Sequence, residues 1–302
     1  MLANDLITWY LFFGGLGTGL YLVAYACERI ASHRHGAWTP FAHAVWLPSL
    51  VLTAAALTFG ALCLLKDLGR SSDAYLLFLK PTLTPISIGA FSLIALAVLI
   101  VACIAMELRG KGSDTTAFRV VKALSAATAL IVALYTGILL AGIAAVPLWS
   151  SPLLPALFLL SALSTGIAAV LIVASFASSK IGSARTQLAE PDRALIAADC
   201  AVIVGEIVLC GIMALALRDN AAALVSMESL AIGSYAGQFW LGFAACGLII
   251  PLSIEVIMLA RSIALRVIVC CTGASVIIGG VFLRYCLMQA GTHLSLFMFA
   301  GL

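Results

Sequence analysis

From residue 123 to residue 179 the chain runs for fifty-seven residues without a charged side chain. A spanning helix needs about 20 apolar residues at roughly 1.5 Å rise each. The stretch therefore predicts two membrane helices. Pro147, Pro152 and Pro155 near its middle mark a tight turn over residues 145–155, and Trp149 in that turn suits the headgroup level. About three turns before the first of these prolines lies Tyr135. A phenol inside a membrane helix needs a hydrogen-bond partner, and the identity of that partner is the question the rest of the chain must answer.

Composition agrees with that reading. Hydrophobic residues make up 64% of the 302 and charged residues 10%, against about 25% charged in soluble domains, so an integral membrane protein is expected. The net charge of +3 is small, and no basic stretch interleaved with aromatics suggests nucleic-acid binding. No basic residue precedes the first apolar run and no small-residue cleavage site follows it, so that run is expected to stay as a helix. Nine cysteines form no CxxC pair, which argues against an iron–sulfur cluster or zinc site in this chain and for small apolar fillers. Histidine points the same way. His33 and His35 fall in a loop, His43 near a helix start on the same side, and His293 in the opposite tail, so no facing pair can hold haem.

Eight apolar runs can be counted, at residues 6–30, 42–65, 85–106, 122–144, 154–178, 194–217, 235–259 and 267–289. No connection is long enough for a soluble domain, so residues 1–302 form one all-α membrane domain. Lysine and arginine number eleven on one side of these runs and five on the other. The basic side is the cytoplasmic one, which places both termini outside. A repeat is visible as well: Leu16-Gly-Thr-Gly19 and Leu163-Ser-Thr-Gly166 lie 147 residues apart. Two four-helix halves, 1–144 and 145–302, account for it, as does chance similarity between Gly-rich membrane helices.

With that topology Trp9, Tyr10, Tyr135 and Asp67 with Arg70 converge on one depth near the outer surface. Gly14, Gly15, Gly17 and Gly19 in the first helix let a backbone or a flat ligand approach. An amphipathic ring with polar oxygens and an apolar tail fits such a place. Asp67 is a candidate proton acceptor at the water boundary, or an interfacial charge paired with Arg70 or Lys66. Arg284 lies inside the last run. It can pair with a carboxylate, stabilise an anion or snorkel to the interface, and snorkelling is the ordinary expectation. Glu206 and Asp199, seven residues apart on one face of the sixth helix, each cost about 2.5–3.5 kcal/mol at a helix centre. They read as a proton path or as protonated packing groups. Glu107 and Glu255 are expected to face water at the basic ends.

In succession the motifs resemble the NrfD/PsrC family of quinone-reactive membrane subunits of polysulfide-reductase-type complexes. They are Tyr10-Leu-Phe-Phe-Gly-Gly-Leu-Gly-Thr-Gly19, Asp67-Leu-Gly69, Tyr135-Thr-Gly-Ile-Leu-Leu, Pro147-Leu-Trp149 and residues 154–166, followed by Phe239-Trp-Leu-Gly-Phe and Gly279-Gly-Val-Phe-Leu-Arg-Tyr285. The resemblance implies an eight-helix, haem-free anchor made of two four-helix bundles in a bacterial or archaeal cytoplasmic membrane. Such an anchor binds menaquinol or ubiquinol near the outer face, beside a ferredoxin-like iron–sulfur subunit that passes electrons to a molybdopterin catalytic subunit. Tyr135 matches the family's quinone tyrosine. Some members carry a histidine where this chain has Tyr10. The DMSO-reductase anchor subunits are similar in role.

The expected function is quinol oxidation, with Tyr135 on a quinone oxygen, Tyr10 or Asp67 handling the proton, and Trp9, Phe13, Gly14 and Gly17 as the ring wall. No terminal reductase activity is expected of the chain alone. Two other classes remain open. One is a secondary transporter using Asp199, Glu206 and Arg284, disfavoured because Pro251 falls toward the inner end of its helix. The other is a purely structural anchor.

Overall fold

A computed structural model describes residues 2–34, 36–67, 85–110, 115–143, 146–179, 188–218, 220–263 and 265–300. Nine helices account for nearly all of them: α1 (Leu2–Arg34), α2 (Trp38–Asp67), α3 (Pro85–Leu108), α4 (Thr116–Ala141), α5 (Leu154–Ser179), α6 (Glu190–Leu217), α7 (Ala221–Ala231), α8 (Gln238–Arg261) and α9 (Arg266–Ala300). Eight are long and apolar enough to cross a membrane, all but the short α7. The protein is thus a multi-pass membrane protein. Apart from α9, which continues past its apolar run to Ala300, the helix ends fall within about six residues of the ends of the apolar runs, because in hydrocarbon only a helix satisfies each backbone group within its own segment.

Neighbours are set by chain order. α1 packs on α2 and α4, and α3 bridges α2 and α4; likewise α5 packs on α6 and α9, and α8 lies against α6 and α9. The two sets meet through α1 and α5. These are the most buried spans, with 67% and 61% of their apolar windows inside the protein against 17% for α6. The reason lies in the repeated sequence. A methyl group added to Gly19 would overlap the Ala162 carbonyl, and one added to Gly166 would overlap the backbone of Gly19. The two glycines of the repeat face each other, so the backbones of α1 and α5 touch where they cross. Beside them Thr18 donates to the carbonyls of Gly14 and Gly15 at 2.8 and 2.9 Å. Thr165 donates to Ser161 and Ala162 at 2.8 and 3.1 Å, the same positions shifted by 147.

α8 departs from regular winding. Gln238–Ile249 is π-helical, and Pro251 follows two residues later. In the wider winding each N–H bonds to the carbonyl five residues back, as Ile250 does to Ala245. Proline has no N–H, so the Cys246 carbonyl lacks its helical donor. Ser275 of α9 supplies one at 2.5 Å. Pro251 therefore sits at mid-span, rather than toward the inner end as the sequence suggested.

Candidate functional site

Two groups of polar side chains lie inside the membrane spans, one in each half of the chain. The end of the protein that carries Tyr10, Tyr135 and the 146–154 turn is termed the tyrosine end. The opposite end, with Arg34, Arg109, Arg193 and Arg261, is termed the basic end.

At the tyrosine end α1 and α4 bring Tyr10 and Tyr135 together. Both are buried, at 5% and 7% exposure, and their phenols are close enough to act on each other electrostatically. The Tyr135 ring lies flat against Gly89 of α3, where any side chain would overlap it. Among the described residues neither the Tyr10 nor the Tyr135 hydroxyl has a protein hydrogen-bond partner, so both phenols can meet a ligand. Trp9 stacks on Phe13 with centroids 5.8 Å apart, and Phe13 meets Phe59 of α2 at 4.7 Å. Trp9 is 41% exposed, so this aromatic strip borders the lipid rather than closing over the phenols. A methyl group on Gly14 would find open space, whereas Gly17 is filled by Leu57 and Ala56 of α2. Gly17 is therefore a helix-packing position and not part of a ligand wall. The side chain of Asp67 and the whole of Arg70 lie outside the described residues.

Trp149 is buried within the protein rather than turned outward. It is 6% exposed and donates its indole N–H to the Leu287 carbonyl at 2.8 Å, which ties the 146–154 turn to α9.

The second group lies deeper. Arg284 is 1% exposed and does not snorkel. Its guanidinium donates to the Leu11 carbonyl at 3.1 Å, to Ser161 Oγ at 3.0 Å and to the Gly280 carbonyl at 2.9 Å. It also lies over the rings of Phe12 and Phe158. The Nη2 edge lies against Gly15, where any side chain would displace it. Arg284 thus fastens α9 to α1 and α5, and its charge acts on Glu206 of α6. Asp199 is fully buried and Glu206 nearly so. Glu255, expected at a wet helix end, is 3% exposed. It accepts from the Cys200 thiol at 3.4 Å and lies beside Asp199. The sequence held a signal for this: Glu255 falls within the apolar run at 235–259 and six residues before Arg261, too deep for a helix-end charge. Glu107 is half-buried.

At the basic end of α1 and α4, Lys122 is 4% exposed and bonds Glu28 at 2.6 Å. Its ammonium also lies over the Trp46 and Phe118 rings. These groups line a cavity of about 220 Å³ with His43 and Glu107. Sequence reading placed Lys122 among loop charges and missed its pairing, since Glu28 and Lys122 lie ninety-four residues apart. Among the described residues no three side chains are arranged to hold a metal ion.

The architecture defines a polytopic helical membrane protein that keeps two buried phenols at one end and buried carboxyls with an arginine at mid-depth. The chain matches the family described as "Polysulphide reductase, NrfD" over residues 5–294 and belongs to that family. It is 31% identical to Protein NrfD of Escherichia coli over 179 residues, which cover 59% of this chain and 54% of that protein. It is 27% identical over 266 residues to the C subunit of polysulfide reductase from Wolinella succinogenes, covering 82% of this chain and 80% of the relative. The protein thus spans about half the length of the first relative and four fifths of the second.

Proposed function

We propose that the chain is the quinol-binding membrane anchor of a multi-subunit oxidoreductase, and that quinol binds at the tyrosine end. The reading rests chiefly on the pairing of Tyr10 and Tyr135, buried phenols from different helices, neither with a hydrogen-bond partner among the described residues. A phenol can donate to a quinone oxygen or accept from a quinol hydroxyl, and the surroundings are otherwise apolar, which suits a ring with an apolar tail. Open space at Gly14 and the Trp9–Phe13 strip suit the approach of a flat ligand from lipid. Quinol supplies two electrons and two protons when it is oxidised. Tyr135 holds and orients a ring oxygen; Tyr10, beside it, relays each of the two protons by giving up its own phenol proton as it receives one from the quinol. Asp67, at the tyrosine end of α2, releases each proton to solvent; Arg70 follows three residues along the chain.

The counts of lysine and arginine support an orientation with the tyrosine end outside and the basic end in the cytoplasm of a bacterial or archaeal cell. The helix neighbours described above support two four-helix halves, α1–α4 and the spanning helices α5, α6, α8 and α9. The family and the name of the Wolinella relative favour partners of the polysulfide-reductase kind. These are an iron–sulfur subunit docked at the tyrosine end, which receives the electrons, and a molybdopterin subunit beyond it. Menaquinone and ubiquinone both fit the phenol pair.

The reading is tested by purifying the protein with its native partners and extracting the bound lipid. Menaquinone or ubiquinone is expected at close to one molecule per protomer in the native protein, and less in Tyr135→Phe. Absence of quinone from the native complex would refute the reading. A secondary transporter also uses mid-span breaks and buried charges, and the π-wound half of α8 ahead of Pro251 is the observation on its side. Solute uptake by this protein alone in liposomes would support that alternative.

A further inference from the structure

The quinol reading uses the tyrosine end of the first half and leaves its basic end without a role. There Glu28 of α1, His43 and Trp46 of α2, Glu107 of α3 and Lys122 of α4 line one cavity of about 220 Å³. A water occupies about 30 Å³ in the liquid, so the cavity has room for several such groups. Its depth is readable from the sequence. Glu28 lies two residues before the end of the first apolar run, Glu107 just after the third, and Lys122 opens the fourth. The cavity therefore stands where hydrocarbon gives way to lipid headgroups. The packing frame does not call for these charges, since at the offset of 147 the second half has Ser175 and Val269 in the places of Glu28 and Lys122.

Polar atoms of the side chains on this wall are left unmet. An ammonium carries three N–H groups, and Lys122 donates one of them to Glu28 Oε1 at 2.6 Å. Among the described residues, Glu28 Oε2 and the Trp46 indole N–H are buried without a hydrogen-bond partner, and Trp46 as a whole is 5% exposed. Orphaned buried groups of this kind are rare and costly. A ligand that relieves them must bring an acceptor for Trp46 and Lys122 together with a donor for Glu28. Charge narrows the class further. Glu28 and Glu107 outweigh Lys122 by one negative charge when His43 is neutral. A plain anion would meet two carboxylates, and a plain cation would leave the indole N–H unmet. A zwitterion satisfies both sets.

We propose that this cavity binds the phosphoethanolamine headgroup of a membrane lipid from the leaflet at the basic end. The primary ammonium donates to Glu28 and Glu107. The phosphate accepts from the Trp46 indole and from Lys122, whose place is fixed by the Trp46 and Phe118 rings at 5.3 and 4.3 Å. His43, exposed at the rim, faces the phosphate side of the headgroup. Such a lipid joins all four helices of the first half at the end opposite the phenols. A trimethylated headgroup keeps the positive charge but has no N–H to donate, and a glycerol headgroup has no cation at all, so neither replaces it. The site does not rest on the quinol reading.

The test uses the complex with its native partners, stripped of loosely held lipid in detergent and titrated with defined lipids under native mass spectrometry. Phosphatidylethanolamine, phosphatidylcholine and phosphatidylglycerol with identical acyl chains are compared. Phosphatidylethanolamine is expected to bind at about one molecule per protomer and about tenfold more tightly than either of the others. Trp46→Phe keeps the ring and removes only the indole N–H, and Glu107→Gln alters a half-buried group outside the ion pair. Both variants should elute as the native protein does on size-exclusion chromatography and bind phosphatidylethanolamine about tenfold more weakly. Equal binding of the three lipids, or native affinity in both variants, would overturn the site. Displacement of the bound lipid by soluble glycerophosphoethanolamine at matched concentration would overturn the membrane as its source.

Discussion

The first and second halves of the protein share a packing frame and differ in chemistry. Thr18 and Thr165 bond back to equivalent carbonyls, and Gly19 and Gly166 meet at the crossing of α1 and α5. At the same offset of 147, Tyr135 corresponds to Phe282. Each ring lies against a glycine of its neighbouring helix, Gly89 for Tyr135 and Gly242 for Phe282. Glu28, which pairs with Lys122, corresponds to Ser175, whose hydroxyl lies 3.3 Å from the Cys270 sulfur. The first half keeps its buried ionisable groups toward its two ends, phenols at one and an ion pair at the other. The second keeps them at mid-depth, and its tyrosine end instead holds a cavity of about 330 Å³ lined mostly by Leu, Met, Phe and Cys. Duplication constrains the glycines and the ring size at a position; it leaves free whether that ring carries a hydroxyl.

The comparison can be broken most severely where the halves meet. Gly19→Leu places a side chain in the backbone of α5, and no flexible neighbour can yield. Overpacking of this kind costs about 1–3 kcal/mol or more, and loss of the folded protein on size-exclusion chromatography is expected. Gly14→Ala, which meets nothing, should elute normally. Next in size, Arg284→Met strands the Ser161 hydroxyl and the Leu11 carbonyl. It should lower stability in thermal unfolding by about 3–5 kcal/mol, the cost of removing one partner from a buried charged network. Arg284→Lys should recover only part, because an ammonium lacks the fork that reaches three acceptors. Lys122→Met should cost less, about 2 kcal/mol, since Glu28 borders a cavity that opens at the basic end. Smallest in stability is a contrast of glycines. Gly89→Ala should push the Tyr135 ring and slow quinol oxidation, whereas Gly242→Ala should displace Phe282 and leave that rate unchanged.

The span count was legible from long apolar runs and the repeat from a Thr-Gly pair at a fixed offset; that its two glycines meet where α1 and α5 cross was not, because that contact joins residues 147 apart. Tyr135, Glu206 and Asp199 were legible as polar residues where lipid tolerates few. The partners of these residues were not. Lys122 and Glu28 come from helices ninety-four residues apart. Arg284 reaches back 273 residues to Leu11, which turned an expected snorkelling side chain into a buried fastening. Glu255 was misjudged because its nearness to a helix end was weighed above its place inside an apolar run. Gly17 looked like a ligand wall, but glycine content alone cannot distinguish a face that meets a ligand from one that meets Leu57. The π winding of α8 had only Pro251 as a signal, and one proline does not say how the turns before it adjust.

The most direct measurement exchanges one hydroxyl between the halves. In the complex with its native partners, quinol oxidation is followed for Tyr135→Phe and for Phe282→Tyr. The account predicts that Tyr135→Phe loses most of its rate while assembly is preserved, and that Phe282→Tyr oxidises quinol as the native protein does. A native rate in Tyr135→Phe would contradict it.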